Sequence, residues 1–487
     1  MKSLKFDKFS SVDKLLIIFI FFSLIYSYFS LYFFKIYYRD SLWIASFAYN
    51  FAKEGFLLDV LSREPGLAIG HGRIMDLLYG NFMLYFTNLI YAHRFLSWII
   101  SFPVLILFYL ILRNINFERT ICLLAVLFLS VSEHFLLSSH SARPEILVLL
   151  TGFMSLYLFT SKNQTILKII TSGLFISISI DIHLSSQIFI FILIFYELSK
   201  EEKFFRKNNF HKLMFFLIGY FFGLLIVIFN NINHYQEIKN SLEFANEVIS
   251  TSLIDRFSWI FLFGFDSTLY RWLHFPIFLL IGVYYFLEKR NLENSKFRSS
   301  FWMFLGGLTG YILLGRMNHH YLIIFFPFLY AFLISISYKK RKNILKLSLI
   351  VLFSYSIFFQ LYNAVNFYSS DLRGFYDKAS QEIELTQDVT IVGPDNFWFI
   401  FKENDFYSYQ ARVNFKEISR DKKIIFISNE LYHLFKNEGI ELGLNTGVSN
   451  IPDTFLDDFK LSSSFEDYYY GSFGLKKKNT IRVYKNF

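Results

Sequence analysis

The chain has 487 residues, of which 54% are hydrophobic and 21% aromatic, and its formal net charge is +9. Residues 371–487 carry 15 Lys or Arg and 18 Asp or Glu, so the positive excess belongs to residues 1–370. There it lies in short loops between apolar segments, which indicates membrane topology and excludes a nucleic-acid-binding surface. The single cysteine, Cys122, excludes an intramolecular disulfide.

The first apolar segment, LLIIFIFFSLIYSYFSLYFF at 15–34, contains no charged residue. At 1.5 Å per residue it is long enough to cross a bilayer, and it is too long for a cleavable signal peptide. Further apolar segments lie at about 95–112, 120–137, 145–160, 166–180, 187–198, 213–230, 273–287, 300–315, 320–337 and 344–362. The pattern predicts an all-α polytopic membrane domain of about 11 transmembrane helices over residues 1–370.

Charge then predicts the orientation. With a cytoplasmic N-terminus, the inner loops hold about 22 Lys or Arg in roughly 60 residues, and the outer loops about 11 in roughly 120. We therefore expect the N-terminus inside, the C-terminus outside, and long outer loops at 35–94 and 231–271. The bias toward Phe, Ile, Lys and Asn is typical of a bacterial gene, so we expect the bacterial cytoplasmic membrane.

Each long outer loop contains a helical pattern. SLWIASFAYNFAKEG is an amphipathic helix that Gly55 terminates. SLEFANEVISTSLIDRFSWIFLFGF is typical of an interfacial or re-entrant helix. Its last part is alternatively a twelfth crossing, which would invert the later loops against the charge rule.

Residues 371–487 have a different pattern. DVTIVGPDNFWFIF, KKIIFISNELYHLF and NTIRVYKNF read as short strands, two of them followed by helical stretches. We predict a small extracytoplasmic α/β domain. Because it contains no phosphate loop, metal-ligand spacing or nucleophile motif, we interpret it as a cap or acceptor-contacting module.

Ionisable residues collect at the predicted outer ends of the spans. They are Arg39, Asp40, His140, Arg143, Glu145, Asp181, His183, Arg316, His319 and His320. Such groups are costly unless they face water, a partner or a substrate. Their joint placement, with both signs of charge beside a long amphipathic loop, predicts a functional site.

Each residue also has a structural interpretation. Asp40 is a candidate helix N-cap, Glu145 suits a helix first turn after Pro144, and Arg143 is able to extend to lipid headgroups. Asp181 and His183 are candidates for local capping and pairing. Arg316 and the His319–His320 pair are candidates for anchoring a span at the membrane interface.

Four stretches together resemble the GT-C class of polytopic glycosyltransferases, most closely its protein O-mannosyltransferase and aminoarabinose-transferase branch. They are YYRDSLWIASFAYN, YAHRFLSWII, SARPEILVLL and GRMNHHYLIIFFPFL, within about residues 15–340. The resemblance implies a sugar donor on polyprenyl phosphate and Asp40 as the catalytic acid-base residue. Many members have a second adjacent acid, where this chain has Ser41. Glu145 occupies the place of the family's acid in the second outer loop, so the resemblance predicts that it is a second catalytic residue.

The chemistry is consistent with these residues. An inverting transfer to a lipid, glycan or protein acceptor needs a carboxylate base, and the departing phosphate needs cations, here Arg143, Arg316, His319 and His320. We expect the sugar to be a hexose or a pentose. Some relatives carry a divalent cation, for which Asp40, His140, Glu145, Asp181 and His183 supply ligand types. A lipid or solute transporter or flippase is the alternative function, although it favours midplane sites and internal repeats.

Overall fold

The computed structural model describes residues 10–33, 39–55, 73–140, 143–200, 207–234, 295–314, 319–340, 389–394, 397–402, 404–408, 423–428, 459–470 and 476–487, with isolated positions elsewhere. Its helices are α1 (Ser11–Phe33), α2 (Arg39–Glu54), α3 (Arg73–Met83), α4 (Leu89–Asn114), α5 (Arg119–Val131), α6 (Glu133–Ser139), α7 (Glu145–Thr160), α8 (Ile166–Ile180), α9 (Ile188–Lys200), α10 (Lys207–Asn231), α11 (Ser295–Leu314), α12 (Phe326–Lys340) and α13 (Trp398–Phe401). Short 3₁₀ helices cover Leu184–Gln187, Ile232–His234 and His319–Ile324.

The long helices follow the predicted apolar segments. Within the described residues, three helical segments are long and apolar enough to cross a membrane: Ser11–Leu31, Tyr91–Asn114 and His211–Asn231. Helices α5, α7 and α8, and the part Phe326–Tyr338 of α12, are shorter apolar helices. Helices α7 and α8 coincide with the predicted 145–160 and 166–180.

The predicted single span over 120–137 is wrong in one respect, because the structure divides it into α5 and α6. Ser132 stands between them with extended backbone angles. Its hydroxyl accepts a hydrogen bond from the Phe135 N–H at 3.4 Å, which caps the new helix. A serine inside an apolar stretch therefore marks the end of one helix and the start of another.

Small residues bring neighbouring helices together. A Cβ on Gly173 of α8 would lie 2.1 Å from the Phe216 carbonyl oxygen of α10, and one on Gly219 would lie 1.9 Å from the Ile170 carbonyl oxygen. Only glycine allows such close approach of two backbones, as is common between membrane helices. Helices α8 and α10 therefore form a tightly packed pair.

Helix α2 confirms the predicted amphipathic helix in the first long loop. It ends at Glu54, and Gly55 follows with a φ of +77°, the left-handed conformation expected at a helix C-terminus. The predicted interfacial helix within 231–271 lies outside the described residues.

The C-terminal region forms a five-stranded mixed sheet with the order β2-β1-β3-β5-β4. The strands are β1 (Val389–Gly393), β2 (Asp405–Ser408), β3 (Lys423–Ser428), β4 (Lys460–Tyr470) and β5 (Lys476–Lys485). Strands β2, β1 and β3 are parallel, and β5 is antiparallel to β3 and β4. The three predicted strands are confirmed as β1, β3 and β5, whereas β2 and β4 were not predicted. The division of the chain at residue 370 stays a prediction.

Candidate active site

Several polar side chains from separate loops meet at one end of the helix bundle. This end, called here the candidate-site end, comprises α3, the start of α7, and the turn between α8 and α9. The Ile74 N–H donates to Asp181 Oδ2 at 3.1 Å, and Tyr321 Oη lies 3.2 Å from His183 Nε2. The chain thus brings together residues that are 107 and 138 positions apart in sequence.

Arg143 and Glu145 form a buried ion pair at the start of α7. Arg143 Nη2 donates to Glu145 Oε1 at 2.9 Å, and Nε lies within 3.2 Å of both carboxylate oxygens. Glu145 has no solvent exposure and Arg143 has 4%. The arginine is therefore held inside the protein. A carboxylate that accepts several hydrogen bonds from one guanidinium fixes the arginine in a single orientation.

Pro144 and Glu145 position this pair. Pro144 stands at the N-cap of α7 and Glu145 lies in the first turn, where a carboxylate interacts favourably with the helix dipole. Glu145 therefore has both roles: it stabilises the first turn of α7, as the structural interpretation predicted, and it pairs with Arg143.

Asp181 joins three elements. Its Oδ2 accepts from the Ile74 N–H at the start of α3, and its Oδ1 accepts from Asn231 Nδ2 of α10 at 2.7 Å. Arg73 Nη1 adds a 2.6 Å hydrogen bond to the Asn230 carbonyl oxygen. Asp181 was a candidate for capping its own turn. It instead caps α3, which is 107 positions away in sequence.

Asp76 is a buried acid that sequence reasoning missed. It lies in α3, two residues after the one bound by Asp181, and only 3% of it is exposed. Burial raises the pKa of the Asp76 carboxyl well above its ordinary value, and the nearby Asp181 carboxylate raises it further. Burial also raises the pKa of Asp181, although Asn231, Ile74 and Arg73 lower it. The signal in the sequence was a single acid within the apolar pattern RIMDLLYGNFM.

Tyr79 connects α3 to α4 close to Glu145. Its hydroxyl lies 2.9 Å from Ser97 Oγ, and its ring stacks on His93 with the centroids 4.0 Å apart. Burial is the main cause that raises the pKa of Tyr79, and the Glu145 carboxylate adds to it. Within the described residues, neither ring nitrogen of His93 has a hydrogen-bond partner.

The two described histidines of the predicted site have structural contacts. Both ring nitrogens of His140 are occupied: Nδ1 lies 2.9 Å from the Leu136 carbonyl oxygen, and Nε2 lies 2.6 Å from Ser30 Oγ of α1. His183 Nδ1 accepts from the Ser185 N–H at 3.1 Å, which is the local cap that the sequence allowed. His140 therefore holds the turn after α6 against α1.

Of the remaining predicted residues, four are placed by their backbone alone and Arg316 is not placed. Arg39 and Asp40 lie in the first turn of α2, and His319 and His320 begin a 3₁₀ helix. The side chains of these four residues and the whole of Arg316 lie outside the described part of the structure. Among the described residues, no group of three or more His, Cys, Asp or Glu is placed to hold a metal ion.

Gly80 determines how α2 lies on α3. A Cβ on Gly80 would stand 2.0 Å from the Ala48 carbonyl oxygen, so the two helices are in backbone contact there. Helix α2, which carries Asp40, is thereby packed on the helix that carries Asp76 and Tyr79.

No protein-family model matches the chain, and no curated protein matches it in sequence. Solved structures match it in fold. The structure of ArnT from Cupriavidus metallidurans bound to undecaprenyl phosphate has a TM-score of 0.57 at 10% identity and covers 97% of this chain and 98% of that one. In the apo state, ArnT gives a TM-score of 0.54 at 9% identity, with the same coverage. The chain has the GT-C fold.

A second GT-C enzyme supports this conclusion. The oligosaccharyltransferase of Archaeoglobus fulgidus, in complex with Zn and sulfate, gives a TM-score of 0.51 at 11% identity, over 94% of this chain and 72% of that one. The resemblance found in the sequence is thus confirmed at the level of the fold. The protein is an integral multi-pass membrane protein.

Proposed function

We propose that this protein is a membrane glycosyltransferase that takes a sugar from a polyprenyl-phosphate donor and transfers it to a lipid, glycan or protein acceptor. The observation that carries the proposal is the GT-C fold over 97% of the chain, shared with a protein whose structure contains undecaprenyl phosphate. The buried Arg143–Glu145 pair supports it, because a fixed guanidinium suits a phosphate.

In the proposed reaction, an acceptor hydroxyl oxygen attacks the anomeric carbon of the sugar. The bond from that carbon to the phosphate oxygen breaks, and its electron pair remains on the lipid phosphate. Asp40 accepts the hydroxyl proton, as a positioned carboxylate does in inverting glycosyl chemistry. Arg143, Arg316, His319 and His320 bind the phosphate. Glu145 was predicted to be catalytic, but because it is fully buried and paired with Arg143 we assign it a positioning role that acts through that arginine.

The proposal includes a topology. About 11 spans place the N-terminus in the cytoplasm and residues 371–487 outside the bacterial cytoplasmic membrane. Reporter fusions after Lys342 should then report cytoplasm, and fusions after Asn366 should report the exterior. If both fusions lie on one side, the site cannot be outward-facing as proposed.

The decisive experiment is transfer by the purified protein in nanodiscs. It is incubated with labelled polyprenyl-phosphate hexoses and pentoses and native membrane extract, and the modified products are identified by mass spectrometry. We expect sugar on one acceptor class and free polyprenyl phosphate in equal amount. Movement of labelled lipid across vesicle bilayers without any transferred sugar would contradict the proposal and support the transporter.

A further inference from the structure

The C-terminal sheet contacts the helix that carries Asp40. The ring of Tyr49 on α2 packs edge-on against Trp398 of α13, with the centroids 5.9 Å apart and the planes at 71°. Lys402 Nζ lies 4.8 Å from the centroid of the same Tyr49 ring. These three side chains are called here the Tyr49 contact. It joins an aromatic pair to a cation–π interaction, two geometries that are each favourable on their own.

The Tyr49 contact is buried. Trp398 is 2% exposed and Tyr49 8%. Both belong to one continuous hydrophobic cluster, which includes residues of α2, of the membrane helices and of the strands β1, β3 and β5. A tryptophan buried between two parts of a chain contributes a large apolar area, so separating the parts would expose it.

The position of the contact in the sheet is also informative. Helix α13 follows β1, and β1 is held between the parallel strands β2 and β3. Trp398 is therefore attached to an interior strand. A movement of the sheet would therefore move Trp398, and with it the contact to α2.

Helix α2 is held on two sides. Gly80 of α3 meets its backbone at Ala48, and the Tyr49 contact reaches it at the next residue. Asp40 lies nine residues before Tyr49, about 13 Å along a continuous helix. A rotation or shift of α2 at Tyr49 would therefore move the start of the helix.

We infer that the C-terminal sheet positions α2, and with it Asp40, through the Tyr49 contact, so that Tyr49, Trp398 and Lys402 are positioning residues for sugar transfer. The inference rests on the proposed function only where it predicts changes in kcat and donor KM. Its structural part, that α2 depends on the sheet, stands independently of any activity.

The structural arm uses spin-label distances in the full chain in nanodiscs. Cys122, the only cysteine, is buried, so introduced cysteines are labelled selectively. One pair, Lys53→Cys with Ser464→Cys, measures α2 against the sheet. A second pair, Lys53→Cys with Thr87→Cys, measures α2 against the loop before α4. We expect Trp398→Ala to broaden both distance distributions. Trp398→Phe, which keeps an aromatic ring, should leave both as narrow as in the wild type.

The catalytic arm measures kcat and donor KM in the same samples. Misplacing a catalytic group by about 1 Å costs roughly 100-fold, so we expect Trp398→Ala to lower kcat by about 10- to 100-fold while donor KM changes little. Lys402→Met should lower kcat by about two- to fivefold. The matched control is Lys423→Met, which removes a lysine 5.6 Å from the Phe487 ring in the same sheet. It should leave both distances and kcat unchanged.

Two results overturn the inference. If Trp398→Ala broadens the α2–sheet distance and leaves the α2–loop distance narrow, the contact only holds the sheet and does not position α2. If Lys423→Met lowers kcat as much as Lys402→Met, the effect is a general loss of sheet stability. Tyr49→Leu tests the same contact from α2 and replaces Trp398→Ala if that variant does not fold. A wild-type protein without transferase activity contradicts the proposed function but leaves the distance test intact.

Discussion

Two buried acids at opposite ends of the helix bundle, Glu197 and Asp76, have different neighbours. At the end opposite the candidate site, Glu197 of α9 forms ion pairs with two lysines. Its Oε1 lies 2.9 Å from Lys200 Nζ and 2.5 Å from Lys212 Nζ. Lys212 also donates to the Phe159 carbonyl oxygen and lies 3.8 Å from the Phe159 ring centroid. This acid is paired, and its partners join α7, α9 and α10. The network is therefore structural.

At the candidate-site end, Asp76 instead lies close to a second acid, Asp181, and both effects on its pKa have the same sign. Nearby, His93 is fully buried without a hydrogen-bond partner among the described residues. Burying polar groups in this way is costly, and such cost is typical of functional sites. The comparison is therefore between Glu197, whose neighbours are cations, and Asp76, whose neighbour is a second acid, and we expect only Asp76 to belong to the functional site.

The largest expected effect tests Asp40. Asp40→Asn should lower turnover by about 10²–10⁴, the usual contribution of a positioned acid-base group, with donor binding nearly unchanged. The amide keeps the shape and an acceptor oxygen in the first turn of α2, so a purely structural role of Asp40 predicts nearly normal turnover. Single-turnover rates and donor binding are measured in nanodiscs. A fully active Asp40→Asn protein would move the proposed base to another acid at this end.

The Arg143–Glu145 pair tests whether a fully paired acid at the candidate-site end behaves as structure or as site. Arg143→Ala leaves Glu145 buried without its cation, which should destabilise the protein by about 3–5 kcal/mol and weaken donor binding. Adding Glu145→Gln removes the uncompensated charge and should recover much of the stability. Donor binding should stay weak. Thermal unfolding and donor titration of both variants separate the two effects, and recovery of binding in the double variant would show that Arg143 does not contact the donor.

The opposite end should respond in stability alone. Lys212→Met keeps a long apolar stem but removes one cation from Glu197. Breaking a buried pair typically costs about 3–5 kcal/mol, and we expect the low end because Lys200 remains. The turnover of the folded fraction should equal that of the wild type. Lys168→Met is the matched control, since Lys168 donates to Ser161 Oγ and the Asn163 carbonyl oxygen on a more exposed loop at the same end. A turnover loss in folded Lys212→Met protein would contradict the comparison.

Sequence patterns predicted the helices well because hydropathy and length are local properties. They placed α7, α8 and the end of α2 at Gly55 to within a residue or two. They also located the conspicuous charges, Arg143 and Glu145, because Pro144 and the apolar run after them marked a helix start. Features that are determined by neighbouring residues in sequence, such as helix ends, were therefore predictable.

Contacts between distant loops were not predictable in this way. The hydrogen bond from Ile74 to Asp181 decides that Asp181 caps α3, and no local pattern contains it. Asp76 reads in the sequence as the polar position of an amphipathic helix, and only the packing of α3 against the bundle makes it buried. His140, a predicted site residue, lies 2.6 Å from Ser30 of α1, which is 110 positions away in sequence. Tertiary burial decides all three.

The smallest expected effect concerns Asp76 and its pH dependence. Its pKa is raised in the folded protein, so the folded state keeps a proton at pH values where the unfolded chain has released it. The stability that this proton contributes is fully present below the unfolded pKa, about 4, and is lost as the pH rises through the folded pKa. Asp76→Asn resembles the protonated carboxyl at every pH. We therefore expect the unfolding midpoints of wild type and Asp76→Asn to agree near pH 4. As the pH increases, the midpoint of the wild type should decrease relative to that of Asp76→Asn.

A pKa difference of one between folded and unfolded chains corresponds to about 1.4 kcal/mol, so even a modest elevation separates the two curves measurably. Asp181→Asn serves as the comparison, because the two carboxylate oxygens of Asp181 accept hydrogen bonds from Ile74 and Asn231. The introduced amide keeps only one acceptor oxygen, so this variant should lose stability at all pH values. Parallel curves for wild type and Asp76→Asn would mean that Asp76 stays ionised with a partner, as Glu197 does. The contrast between Asp76 and Glu197 would then be lost.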